Sequence, residues 1–410
     1  MRDMEEDKGR GIRRPVDHMR HHRENGWDYR GRAIYHFTLP VEERYPLFGV
    51  LDGESPETAF VRLNPYGRRV CQMLCGLAQF YEGKGYALKV LAQKVMPDHV
   101  HLVIQVLAPL PQSIGTVVRG FKSGCTKEYK EMYGSGENAT GMDGKERANA
   151  TGMDGKERAN ATGMDGKERA NGTGVDAPAH FARIFERRGS VWQQDAAYYH
   201  ERILHAPGQL RRMIDYVKDN PRRLWIKSRH PELFRLHRRT EVAGLSFTSM
   251  GNHFLLDWPD RQVVEISRNT TEKEVQEQLQ KILAAAENGT VTYTAAISKG
   301  EQLVARTLRE EGYPLVVLLN DGFPKEGSPH ERYYKPGGVY FEACSRGQLL
   351  LLEPDEQSFL DADIQAAVEE TLRRKAEARH YAYTPIPVTS QRYRFVALNE
   401  MAKRLVQKME

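Results

Sequence analysis

The chain has 410 residues, 28% charged and 40% hydrophobic, with a formal net charge of +5 at pH 7. That length allows two domains with separate cores, and no apolar run reaches the roughly 20 residues that a membrane span needs. The opening M-R-D-M-E-E-D-K-G-R lacks the apolar core of a secretion signal, and Cys71, Cys75, Cys125 and Cys344 form no C-x-x-C pair, so a reduced, cytoplasmic setting is expected.

Residues 1–26 mix Arg10, Arg13, Arg14, Arg20 and Arg23 with acids and read as a flexible arm. Residues 32–39 alternate and end at Pro40, which predicts a first strand, and residues 48–63 follow as a hairpin. Between 64 and 84, Val70, Leu74, Leu77, Ala78 and Tyr81 recur at helical spacing before Gly83 and Gly85 close the helix. A strand over 86–94 leads into V-M-P-D-H-V-H-L-V-I-Q-V at 95–106. Strand residues two apart share a face, so His99 and His101 present two imidazoles together, a half-site for a divalent cation. Two histidines heading an apolar strand would be costly to keep dry without a role. A helix over 112–133 then carries Ile114, Val117, Phe121, Cys125 and Tyr129 on one face, with Lys122, Lys127 and Lys130 available for phosphate contacts. Strand, strand, helix, strand, strand, helix points to a small antiparallel sheet with helices on one side.

Residues 138–170 are three copies of N-A-T-G-M-D-G-K-E-R-A. Two glycines and one Met per copy cannot build a core, so 134–177 reads as a solvated insertion. After G-S-V-W-Q-Q at 189–194, Leu210, Met213, Ile214 and Val217 mark an amphipathic helix that Asn220-Pro221 is expected to stop. Residues 201–240 hold eleven Arg/Lys against four Asp/Glu, with Tyr216, Trp225 and Phe234 interleaved. Such a stripe suits phosphate contacts and base stacking, with Arg211, Arg212, Arg222, Arg223 and Trp225 as the candidates.

From about 241 the pattern changes. Thr271-Glu272-Lys273-Glu274 is a capping box opening a helix that Asn288-Gly289 closes. Apolar runs at 290–294, 315–319 and 349–352 alternate with helical stretches, which predicts a parallel sheet covered on both faces. The loops at 296–300 and 320–327 follow such strands, where phosphates commonly bind.

M-P-D-H-V-H-L-V-I, G-F-K-S-G-C-T-K-E-Y at 120–129, V-W-Q at 191–193 and Y-V-K-D-N-P-R-R at 216–223, in that order, resemble the single-tyrosine HUH transposases, in particular the REP-associated tyrosine transposases. The resemblance covers about 26–225. It implies an α+β ferredoxin-like HUH nuclease core over 27–240 and a Mg²⁺ or Mn²⁺ ion held by His99, His101 and a third polar side chain. It also implies a tyrosine nucleophile on the helix after the histidine strand, Tyr129, with Tyr133 as second choice. The activity implied is nicking and strand transfer on single-stranded DNA beside a hairpin, by a monomer or dimer that is nucleoid-associated when DNA-bound. The alternative is a domesticated hairpin-binding protein without chemistry. The family places its third ligand one helical turn beyond the tyrosine, and Tyr133 stands there; were Tyr133 the nucleophile, Glu137 would take the ligand position. Residues 241–410 resemble the Rossmann-like α/β domains of the DNA-processing protein A and lysine-decarboxylase-like families, although K-P-G-G-V-Y-F-E at 335–342 lacks the latter's Gly-Thr. An accessory role in DNA binding or structure is implied there.

Overall fold

The computed structural model describes residues 26–134, 177–193, 200–324, 326 and 338–407. Most of the N-terminal arm, the repeats, Glu137 and residues 335–337 lie outside the described residues. The chain divides into two units, one ending at Arg229 and the other resuming at His230.

The first unit runs β1 (Ile34–Pro40), β2 (Gly49–Asp52), β3 (Phe60–Leu63), α1 (Pro65–Cys75), α2 (Leu77–Glu82), β4 (Leu88–Met96), β5 (His99–Val106), α3 (Ile114–Tyr133), α4 (Ala177–Arg188), β6 (His200–Ile203) and α5 (Gln209–Arg229). Four strands pair antiparallel in the order β4-β5-β1-β6, and β2 and β3 form a separate hairpin. Helices between β1 and β4 and between β5 and β6 give a β-α-β-β-α-β connectivity.

Alternation decides the layers. Tyr35, Phe37 and Leu39 of β1 and Val100, Leu102, Ile104 and Val106 of β5 join Val70, Phe121, Tyr129 and Phe181 from α1, α3 and α4 in one core. Val103, on the other face of β5, packs with Met213 and Val217 of α5. Helices therefore cover both faces, not one as the sequence predicts, because the apolar stripe of α5 needs Val103 and its neighbours to bury it. Asn220-Pro221 does not stop α5. The helix continues to Arg229 with Pro221, Arg223 and Ile226 buried, and the Asn220 amide Nδ2 donates to Tyr216 O at 2.7 Å. Pro221 removes one helical hydrogen bond, and burial of the following turn offsets the loss.

The second unit contains β7 (His237–Val242), β8 (Leu245–Gly251), β9 (Arg261–Val263), α6 (Glu272–Glu287), β10 (Val291–Thr294), α7 (Lys299–Glu311), β11 (Leu315–Leu318), α8 (Gly338–Ser345), β12 (Leu349–Pro354), α9 (Glu356–Phe359), α10 (Ala362–Glu377) and α11 (Gln391–Gln407). Its sheet has the order β7-β8-β12-β11-β10-β9. Strands β9 to β12 are parallel, but β8 pairs antiparallel with β12 and β7 with β8. The sheet is thus mixed where a parallel one is expected. Residues 237–240 pair with β8, which moves the boundary about ten residues before 241. The two predicted cappings at Thr271 and Asn288-Gly289 are present at the ends of α6.

Candidate active site

His99 and His101 sit at the head of β5 on the α5 face, 5% and 2% exposed. Their Nε2 atoms approach to 3.1 Å. Across the sheet, Thr38 lies opposite His101, and His36 two residues earlier shares that face. His101 Nδ1 is 3.1 Å from both His36 Nε2 and Thr38 Oγ1. His99 Nδ1 is 2.5 Å from Asp98 Oδ1, and Arg44 stands 3.5 Å from the other oxygen of that carboxylate. A carboxylate only accepts, so His99 Nδ1 carries the hydrogen and the Nε2 of the neutral ring is a lone pair aimed into the site. Burial, helped by Arg202 and His200, pulls His36 down to about 3, so its ring is neutral at physiological pH.

Helix α5 brings two further groups to this face. The Tyr216 ring centroid lies 5.5 Å from that of His101 and 6.5 Å from that of His36, edge-on to both. The Arg223 guanidinium carbon lies 5.4 Å from the Tyr216 centroid. Asn220, one helical turn beyond Tyr216, is buried. Two imidazole nitrogens bound cis to one cation at about 2.0–2.2 Å stand about 2.8–3.1 Å apart. The 3.1 Å between the two Nε2 atoms fits that donor geometry. Among the described residues no group of three or more His, Cys, Asp or Glu is arranged to hold a metal, so a third donor from those residues would have to be an amide or hydroxyl.

Tyr129 is not brought to the histidines. It is 2% exposed in the core on the opposite sheet face, its ring centroid 4.7 Å from Phe185 and 5.4 Å from Tyr66. Burial, with Tyr133 and Tyr45 nearby, pushes its phenol up to about 12. Tyr133 packs beside it, also with a raised pKa from burial. The pattern of apolar spacing on α3 had already put Tyr129 in line with Phe121; the core took it.

The predicted DNA contacts divide likewise. Lys122 is buried, Lys127 pairs with Glu131 at 3.5 Å, and both line a cleft on α3. Arg211 and Arg212 are exposed on α5. Arg222 makes two bonds to Asp219, at 2.6 and 3.0 Å. Trp225 Nε1 donates to Gly53 O at 3.2 Å and carries Arg229 over its ring, so it ties α5 to the β2-β3 hairpin and is only partly exposed for stacking. Sequence reasoning did not bring Tyr216 or His36 to the face of His99 and His101. In Y-V-K-D-N-P the tyrosine and the amide stand one helical turn apart on α5.

In the second unit, the phosphate-binding expectation meets the chain's own carboxylates. Glu301, 1% exposed, accepts the N–H groups of Ile266, Ile297 and Ser298 at 3.2, 2.7 and 3.0 Å. Glu353 accepts those of Gly322 and Phe323 at 2.7 and 2.6 Å. The backbone donors after β10 and β11 are thereby engaged.

No family model matches the chain, and no curated protein sequence is similar to it. Among solved structures, it is similar to a candidate transposase from Deinococcus radiodurans, at 12% identity and a TM-score of 0.23, over 48% of this chain and 95% of that one. It is also similar to DNA processing protein A from Helicobacter pylori, a structure described for its single-stranded DNA binding mode, at 19% identity and a TM-score of 0.21, over 30% of this chain and 55% of that one. No helix among the described residues is long and apolar enough to cross a membrane.

Proposed function

We propose that the first unit is a ferredoxin-like HUH nuclease that nicks and rejoins single-stranded DNA, with Tyr216 as nucleophile. The observation that carries this reading is the convergence of His99 Nε2, His101 Nε2 and the Tyr216 ring on one sheet face. His99 and His101 would hold a divalent cation, Mg²⁺ or Mn²⁺, with the Asn220 carbonyl oxygen as third donor. Such a cation, when bound, polarises a phosphodiester and offsets the charge that builds on its oxygens. Asp98 and the His36-Thr38 pair orient the imidazoles. The Tyr216 oxygen attacks phosphorus, the 3′-oxygen leaves as a hydroxyl, and a 5′-phosphotyrosine keeps the bond for rejoining. Arg223, beside the Tyr216 ring, would meet the negative charge of the phosphate.

The test is incubation with labelled single-stranded DNA from the inverted repeats flanking the gene, with Mn²⁺, followed by a denaturing gel. Tyr216→Phe should lose the covalent adduct while Tyr129→Phe and Tyr133→Phe keep it. His99→Ala and His101→Ala should each lose it and also lose Mn²⁺ binding measured by calorimetry. An adduct that survives in Tyr216→Phe and vanishes in Tyr129→Phe would overturn the assignment. The second reading, a hairpin-binding protein without chemistry, is favoured by the lack of a third acidic or histidine ligand among the described residues. Wild-type protein that binds the DNA but forms no adduct would establish it.

A further inference from the structure

The second unit carries an imidazole pair of its own. His237 on the edge strand β7 stands opposite Ser249 of β8, so their side chains share one sheet face. The register slips between His237 and Thr240, and the Thr240 hydroxyl lies 2.6 Å from Ser249 Oγ. After β8, His253 opens the short 3-10 helix His253–Leu256. Its Nε2 is 2.8 Å from Ser249 Oγ, and its ring centroid is 4.6 Å from that of His237. Asn252 holds this turn in place: its Oδ1 accepts the Phe254 N–H at 3.1 Å, and its Nδ2 donates to Gly347 O at 2.7 Å.

The hydrogen bonds fix what each ring presents. The other nitrogen of His253 faces the Gly251 carbonyl, which only accepts, so Nδ1 carries the hydrogen and Nε2 is a lone pair directed toward Ser249. A carbonyl behind an imidazole is the arrangement that fixes the tautomer of a metal-binding histidine. His237 Nε2 is buried with no hydrogen-bond partner. A buried nitrogen left unpaired is costly, and a bound ion removes that cost. Burial lowers the pKa of both rings, with Arg235 adding to the shift at His237 and His237 adding to it at His253. Both are therefore neutral at physiological pH, the form that binds a metal. Arg235 is exposed, so solvent screens its repulsion of a cation.

We propose that His237 and His253 together bind one borderline divalent cation of the zinc class, and that the ion fastens edge strand β7 to the turn after β8. Two imidazoles favour zinc, nickel or copper(II) over magnesium and calcium, which prefer oxygen. The hydroxyls of Ser249 and Thr240, or water, would complete a four-coordinate shell. Strand β7 is joined to the sheet along one side, and its ladder with β8 is interrupted by the register slip that begins at His237. A cross-link there restrains the edge where the pairing is broken. The pair belongs to the unit that lacks His99 and His101, and the inference does not rest on the nuclease reading.

The test is hydrogen exchange read by peptide mass spectrometry on the full chain, in EDTA and in zinc. With zinc at about ten times the midpoint of its titration, exchange over residues 237–253 should slow on the order of tenfold in the wild type. His237→Gln and His253→Gln each keep a neutral polar side chain; both should exchange like wild type in EDTA, and both should lose the slowing by zinc. His99→Ala/His101→Ala should keep it. Mg²⁺ in place of zinc should leave exchange unchanged. A second measurement needs no variant: zinc should shield His237 and His253 of the wild-type chain from diethyl pyrocarbonate, read on the same peptides. No slowing in the wild type, slowing that survives in both Gln variants, equal slowing by Mg²⁺, or unchanged labelling of the two imidazoles would each overturn the proposal. Slowing that disappears in His99→Ala/His101→Ala would assign the ion to the first unit and overturn it too.

Discussion

Asp98 decides which nitrogen of His99 faces the site. Its carboxylate, 2.5 Å from Nδ1, leaves the Nε2 lone pair directed at His101. Asp98→Ala should therefore lower Mn²⁺ affinity about 10- to 100-fold while leaving the fold intact. Calorimetric titration measures this, and an unchanged affinity would show that Asp98 does not orient the ligand. Glu353 poses a different residue-scale question. Burial raises its pKa although two N–H groups pull the other way. The folded state thus holds this proton more tightly than the unfolded state, so the contribution to stability is present below the ordinary carboxylate range and is lost as pH rises through the folded value. Both N–H groups meet one oxygen, which a Gln carbonyl can supply. Glu353→Gln should match wild type in melting temperature near pH 4.5 and exceed it increasingly toward pH 7; a gap that shrinks with pH would contradict this.

At the scale of elements, α5 does two jobs because it outlasts its proline. Its first half buries Met213 and Val217 and sets Tyr216 by His101, and its second half reaches the β2-β3 hairpin through Trp225. Helix α1 depends on a close approach to the same hairpin. A Cβ added at Gly67 would lie 1.9 Å from the Phe48 carbonyl oxygen, a backbone atom that cannot turn aside. Gly67→Ala should cost about 1–3 kcal/mol by forcing α1 away from that backbone. Urea unfolding measures the cost, and a value within error of wild type would mean that the helix shifts freely.

For the whole molecule, each unit has its own buried clusters, which predicts that residues 26–229 and 230–407 expressed separately each fold with a cooperative thermal transition. Failure of either fragment to melt cooperatively would show that its core is incomplete alone. Period-2 and period-3.6 patterns made β1, the β2-β3 hairpin, α1, β4, β5, α3, α5, α6, β10, α7, β11 and β12 legible, and with them the shared face of His99 and His101, since these depend only on neighbours along the chain; α4, β6 to β9, α10 and α11 were not read from the sequence. The capping box of α6 was local too. Three things needed the tertiary structure. Layer assignment sent Tyr129 into the core and α5 across the histidine face, because an apolar stripe does not say which surface will bury it. Strand direction turned an expected parallel sheet into a mixed one, because apolar runs read the same in either direction. The site itself joins β1, β5 and α5, with α5 beginning more than a hundred residues after β5 ends, and only packing of α5 against the sheet brings Tyr216 to His101.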